Sequence, residues 1–223
     1  MVAVLLATLL CVDPSVELER GRALAASGDL RRASEQLRRV AAAYPTWGLA
    51  QLELAEVLLK AGGGDAALEK TLAAARSLDP LNPRAWMLSG RLHQGRGEAA
   101  KAVDEYSRAA QLRPDLVEPH ERLGALFSDA GRFAEAAAQL KLVVAARADD
   151  RTARANLAEV CERAGDLPAA EHYLKALVEV APKNVAYRRR LIEFYERTGQ
   201  ADKAAHAQRA EAARPARHLR PLR

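Results

Sequence analysis

Apolar residues between positions 133 and 143 fall at Phe133, Ala136, Ala137, Leu140 and Val143. Steps of three and four of this kind predict a helix with one buried face. Just upstream, Leu123, Gly124 and Phe127 line a first helix, and Gly131 between the two predicts a turn, since glycine takes the left-handed conformation that ends helices. The preceding stretch follows the same scheme. Trp86, Gly90, His93 and Gln94 predict a thin stripe on a first helix, Arg96-Gly97 a turn, and Ala102, Val103, Tyr106, Ala109 and Ala110 the face of a second helix running from Ala99 to about Gln111. Pro114 follows, where a helix cannot easily continue. Further on, Leu157, Ala158 and Cys161 precede Gly165-Asp166, and Ala170, Leu174 and Leu177 complete the face. Asp166 is a predicted N-cap, with Pro168 in the first turn where its missing N–H costs nothing.

These helix pairs are copies of one unit. Gly97, Gly131, Gly165 and Gly199 stand 34 residues apart, as do Ala102, Ala136, Ala170 and Ala204. Gly21, Gly28, Ala33 and Pro45 match Gly90, Gly97, Ala102 and Pro114 at an offset of 69, two periods and one residue. The extra residue belongs to the turn Gly62-Gly63-Gly64-Asp65, where an insertion disturbs no packing. Six units then start near Pro14, Gly48, Pro83, Val117, Arg151 and Val185. One such hairpin cannot bury its apolar face alone, so the expectation is an all-α solenoid in which neighbours stack.

Composition agrees. Of 223 residues, 49% are apolar but only 4% aromatic, with alanine dominant, which argues against a β-sandwich or barrel and for helices packed through small side chains. The net charge of +5 includes Arg214, Arg217, Arg220 and Arg223 in an acid-free tail, leaving a body of about +1 and no basic face to suggest nucleic acid as a partner. Cys11 and Cys161 cannot make a disulfide framework or a zinc site.

The register resembles the tetratricopeptide repeat family, a 34-residue helix-turn-helix pattern. Trp86, Gly90, Gly97, Ala102, Tyr106, Ala109 and Pro114 carry the best match, and Leu123, Gly124, Phe127, Gly131, Phe133 and Ala136 the next. Leu157, Ala158, Gly165, Ala170, Leu174 and Pro182 follow, then Leu191, Tyr195, Gly199 and Ala204 before the pattern degrades to Gln208 and Glu211, a polar outer face suited to a terminal cap. The second unit departs most, with Trp47 ahead of the usual aromatic site and Leu68 in place of alanine. The resemblance implies a right-handed α-solenoid of about six repeats spanning residues 14–213, with a groove lined by first helices that binds a peptide or helix of another protein. It implies no catalysis, no cofactor, no metal and no small-molecule substrate, and the expected state is a monomer. The alternative is a structural, self-assembling or membrane-associated factor acting through the solenoid ends or the apolar N-terminus.

The expected groove residues are Met87, Arg91, Arg122 and Asn156, then Arg189, Arg190 and Glu193, with acidic Glu53 and Glu56 earlier. Arginines there can grip carboxylates through paired N–H donors. The carboxylate-clamp set of the family is not assembled, since Leu18, Arg22 and Glu53 occupy matching sites. The histidines His93, His120, His172, His206 and His218 form no His-Glu-x-x-His motif and read as packing or surface residues. Cys161 reads as a buried thiol, and Gly62-Gly63-Gly64 as a turn without the Lys-Ser/Thr of a phosphate loop. Residues 2–12, uncharged and far short of the roughly 20 residues that span a bilayer, have the length of a signal-peptide core. They lack a preceding Lys or Arg, and Leu10 stands where a lipobox ending at Cys11 has a small residue. Two readings stand, an export signal, towards which the length leans, and an apolar helix capping the first repeat. The arginine tail 214–223 is expected to be a disordered, solvated end.

Overall fold

A computed structural model describes residues 13–62 and 66–213. The expectations for residues 1–12, for Gly63, Gly64 and Asp65, and for the tail 214–223 lie outside the described residues. Among the described residues there are twelve helices and no strand: α1 (Pro14–Ala26), α2 (Leu30–Ala43), α3 (Gly48–Lys60), α4 (Ala66–Leu78), α5 (Pro83–Gly95), α6 (Ala99–Leu112), α7 (Val117–Asp129), α8 (Phe133–Ala146), α9 (Arg151–Arg163), α10 (Leu167–Val180), α11 (Val185–Arg197) and α12 (Ala201–Ala212). The odd-numbered helices are the first and the even-numbered the second members of six pairs. Two compact units divide the chain, one through Leu123 and one from Gly124.

The turn inside each pair has one geometry. Gly28, Gly62, Gly97, Gly131, Gly165 and Gly199 all have φ between +71° and +86°. The N–H three residues beyond the first helix then reaches back into its last turn: Glu98 donates to the His93 carbonyl at 2.9 Å, Arg132 to Phe127 at 2.8 Å, Asp166 to Cys161 at 2.9 Å and Gln200 to Tyr195 at 2.9 Å. This bond satisfies a carbonyl that the helix end leaves open. Helix starts are capped as well. Asp29, Asp150 and Asp166 accept the N–H three residues on at 3.0, 2.9 and 3.1 Å. Asp13, Asn82 and Asn184 accept the N–H two residues on.

Within a pair, the helices cross where the first carries almost no side chain. A methyl group added at Gly21 would meet Leu37 at 2.6 Å, at Gly90 the ring of Tyr106 at 2.6 Å, and at Gly124 Leu140 at 2.9 Å. Leu37, Tyr106 and Leu140 are buried in the space so left, and Ala158 and Leu174 occupy the corresponding places in α9 and α10. Burial pushes the Tyr106 phenol up to about 12, and its hydroxyl donates to Gln94 at 2.8 Å. Close-packed interiors leave no slack at such a contact.

Three details depart from the sequence expectations. The stripe on α5 is not thin: Ala85, Met87, Leu88, Ser89, Gly90, Leu92 and His93 are all buried. A first helix is flanked by its own partner and by the neighbouring pair, so seven of the thirteen residues of α5 are buried. Trp86, expected in that stripe, is only half-buried, between the guanidinium groups of Arg76 (5.1 Å) and Arg108 (6.0 Å). In the last pair the polar face is present, with Gln208 exposed, but its side chains are engaged within the pair. Gln208 donates to Glu196 at 2.6 Å, and Glu211 takes two hydrogen bonds from Arg188, one at 2.8 Å. Ile192 stands at the place of Gly90, Gly124 and Ala158, and Gln208 at the place of Tyr106, Leu140 and Leu174. Knob and hole are both lost there, and a small apolar cleft of about 170 Å³ opens among Val178, Leu191, Ile192, Ala207 and Ala210.

Another contact repeats without repeating its residue type. The fourth residue of α5, α7, α9 and α11 reaches the carbonyl six positions back: Trp86 Nε1 to Pro80 at 2.9 Å, His120 Nε2 to Pro114 at 3.2 Å, Arg154 Nη2 to Ala148, and Arg188 Nη1 to Pro182 at 2.5 Å. Each ties a first helix to the loop that delivers it.

Gly90→Ala is expected to lower stability by about 1–3 kcal/mol, the usual cost of overpacking. Gly95→Ala, whose methyl group meets nothing within 4 Å, is expected to raise it by roughly 0.5–1 kcal/mol. Denaturant unfolding of the two variants should give shifts of opposite sign.

Candidate functional site

In the first unit the first helices carry an alternating ladder of charge. Glu53 projects from α3 and is only 6% exposed. Arg22 of α1 donates to its Oε1 at 2.7 Å, and Arg84 of α5 donates to the same oxygen at 2.8 Å. Arg84 also reaches Glu56, one turn on, whose other oxygen pairs with Lys60 at 2.7 Å. Burial pushes the Glu53 carboxyl up, but the hydrogen bonds from Arg22 and Arg84 outweigh it and hold the group below its ordinary value near 4.5. The next rung is Glu118 of α7, which accepts from Nε of Arg91 at 3.1 Å and from its Nη2, and lies 3.5 Å from Arg122.

Between these rungs a cleft of about 400 Å³ opens over α3, α5 and the loop before α7. Its floor is apolar, made of Pro83, Met87, Leu88 and Leu116. Its rim is charged, with Arg84, Arg91 and Arg113 facing Glu56 and Glu118. Arg113 makes a two-pronged pair with Asp115 at 2.8 and 2.7 Å. A second, smaller cleft of about 310 Å³ lies between α1 and α5, with Arg22, Glu53, Glu56 and Arg84 on its walls.

Of the residues expected in a groove, the structure brings Met87 and Arg91 into one cleft and sets Arg91 and Arg122 on one carboxylate. Met87 is buried, contributing to the floor and not to the rim. Asn156, Arg189 and Arg190 belong to the second unit. Asn156 and Arg189 are exposed on α9 and α11, and Arg190 donates to Glu159 at 3.0 Å. That unit has its own polar cleft of about 530 Å³, lined by Glu159, Glu162, Arg163, Arg190, Glu193 and Arg197. Arg197 binds Glu162 through two hydrogen bonds, at 2.9 and 3.0 Å. Leu18, at a clamp site, is core, and Arg22 at another is spent on Glu53.

Sequence reasoning missed Arg84, Arg113, Leu116 and Glu118. A signal for one of them exists: Arg22–Glu53, Glu53–Arg84 and Glu159–Arg190 are opposite charges 31 residues apart, one turn short of the repeat length. That spacing places two side chains on neighbouring first helices at nearly one height.

The groups weighed for chemistry are otherwise engaged. Nδ1 of His93 lies 2.7 Å from Glu98, and its ring is held in the α5–α6 pair. His172 stacks edge-on against Tyr173, and His206 is exposed. Cys161 is fully buried, and burial pushes its thiol up, away from the reactive thiolate. Among the described residues no group of three His, Cys, Asp or Glu side chains is placed to hold a metal ion, and no helix is long and apolar enough to cross a membrane.

The chain belongs to the tetratricopeptide repeat family. Family models described as tetratricopeptide repeat match residues 18–77 and 52–116, and another matches residues 127–191. Solved structures similar to it are tetratricopeptide solenoids. MamA superposes with a TM-score of 0.64 at 18% identity, over 84% of this chain and 94% of that one. PilF of Pseudomonas aeruginosa gives 0.65 at 17%, over 87% and 88%. YrrB, described as a tetratricopeptide repeat protein with an unusual peptide-binding site, gives 0.63 at 15%, over 78% and 90%. At these identities the likeness is one of fold. No curated protein matches the chain. Repeats of this family generally mediate protein–protein interaction and are typically non-catalytic scaffolds.

Glu53→Gln is expected to lower stability at pH 7 by about 1–3 kcal/mol, because it removes a charge-assisted acceptor shared by two arginines. A carboxyl held below its ordinary value contributes stability that is full above about 4.5 and is lost as pH falls below that. The variant should therefore show a shallower loss of stability between pH 5 and pH 3 than the parent, read by denaturant unfolding across that range.

Proposed function

We propose that this chain is a non-catalytic interaction scaffold that receives a peptide or helix of a partner protein on the face of its first helices. The observation that carries this is the cleft over α3 and α5, which is open, has an apolar floor and is rimmed by side chains able to form directional hydrogen bonds. Binding sites combine these parts, apolar area for affinity and a few polar groups for orientation. The first helices supply seven of the nine lining residues, and their backbones are fixed by the glycine crossings and by the carbonyl contacts at Trp86 and His120. A fixed face lowers the ordering cost that a flexible one would add to binding. Members of the first-helix face in the second unit, Asn156, Arg189 and Arg190, are proposed as further contacts. The chain is proposed to act as a monomer.

Affinity capture with the full-length chain from lysate of its source cell, read by mass spectrometry, tests this. A partner is expected whose retention falls at least tenfold for Arg91→Glu with Arg122→Glu and is unchanged for Arg38→Glu, an exposed residue of α2. Retention that is equal in both variants, with circular dichroism showing both folded, places the interaction elsewhere. Light scattering showing a stable oligomer would favour self-assembly instead.

A further inference from the structure

We propose that the exposed face of α2 docks on an anionic lipid surface, with the apolar residues 2–12 as the second part of the contact. The proposal is independent of the clefts on the first helices and of the scaffold reading.

The near-neutral body conceals one strongly charged helix. Arg31, Arg32, Arg38 and Arg39 stand in α2 against a single acid, Glu35, a net +3. The other second helices run only from −1 in α10, with Lys175 against Glu171 and Glu179, to +1 in α4, with Lys70 and Arg76 against Glu69. At 3.6 residues per turn the four arginines fall within about one third of the circumference of α2 and span about 12 Å of its length. The remainder of the helix is buried, through Ala33, Leu37 and Val40 among others. Arg31 and Arg32 have side chains 77% and 66% exposed, and each lies 3.5 Å from one acid, Glu35 and Asp29 respectively. Exposed pairs of that kind hold their partners weakly. Arg38 and Arg39 are exposed and engage no carboxylate among the described residues.

The shape and company of this face select the partner. The side of a helix is a convex ridge, suited to a broad charged surface. Nucleic-acid faces set stacking rings among their basic groups. The exposed positions beside these arginines are Glu35 and Ala42, neither of which stacks. The same helix pair carries an apolar signal. Residues 2–12 are uncharged and end just before Asp13, the N-cap of α1, and α1 packs against α2. One apolar or one basic signal alone gives marginal, reversible membrane binding, whereas two together anchor a protein. Clusters of about four or more basic side chains on a helix face are the kind that hold anionic headgroups.

The test is co-sedimentation of the full-length chain with vesicles of phosphatidylcholine alone and of equal parts phosphatidylcholine and phosphatidylglycerol. Partition onto the anionic vesicles is expected to exceed that onto the neutral ones at least tenfold. It should fall at least fivefold between about 50 and 500 mM NaCl, because salt screens exposed charge. It should also fall at least fivefold in Arg38→Gln with Arg39→Gln, and at least threefold in Leu5→Ser with Leu6→Ser. Arg108→Gln with Arg209→Gln removes as much charge from exposed sites of α6 and α12 and should bind as the parent does. Circular dichroism verifies that each variant is folded. Binding indifferent to the α2 pair or to the leucine pair, or lowered equally by the α6–α12 pair, overturns the proposal. So does single-stranded RNA or polyglutamate bound through Arg38 and Arg39 more tightly than the vesicles, which would make the face a nucleic-acid or protein contact. The scaffold reading fails separately: Arg91→Glu with Arg122→Glu should leave vesicle binding intact whatever it does to lysate capture.

Discussion

Everything in this fold depends on how closely two helices of one pair can approach. At Gly21, Gly90 and Gly124 the first helix offers no Cβ, and a leucine or tyrosine of the second fills the place where one would be. That contact sets the distance between the two helix axes in the pair. The left-handed glycine at the turn and the returning N–H set the angle at which the second helix leaves. With distance and angle both fixed by small residues, the remaining positions of the first helix are free to vary, and that freedom is where the charge ladder of the first unit is written.

The ladder illustrates how buried charge is tolerated. Glu53 sits deep enough that an unpaired carboxylate would be heavily penalised, yet it remains ionised because two arginines from the flanking first helices share it. The arginines extend their stems over apolar surface and keep their charged heads partly in water. The pairing therefore links α1, α3 and α5 laterally, with the two arginines more exposed than the carboxylate they share.

Much of this was legible in the chain and some was not, for physical reasons. Glycine and alanine at 34-residue spacing mark sterically obligate places, so Gly97, Gly131 and Ala102 advertise the fold through residue identity, and Asp166 advertises its cap in the same way. The charge ladder is fixed by a distance between helices, and a distance leaves only a spacing in the sequence. Arg91 and Arg122 could be assigned to first helices from the register alone, but their shared carboxylate on Glu118 could not, since it depends on side-chain reach across neighbouring helices. Met87 shows the converse: its register position is on the exposed-looking side of a single helix, and only the neighbouring pair covers it. The spacing of Trp86 from Gly90 and His93 predicts a place in the stripe of α5, whereas its indole N–H reaches the Pro80 carbonyl at the edge.

The four contacts at Trp86, His120, Arg154 and Arg188 bear on how such a chain can diverge. An indole, an imidazole and two guanidinium groups satisfy carbonyls in the same relative place. The fold asks of this position a hydrogen on nitrogen at a certain reach, not a particular residue. Substitutions among these side chains can therefore keep this contact while changing the size, charge and stacking surface shown beside each loop. A repeat array built this way can keep its geometry constant over long descent while its copies drift apart in appearance, which is why alignment by identity fades long before the architecture does.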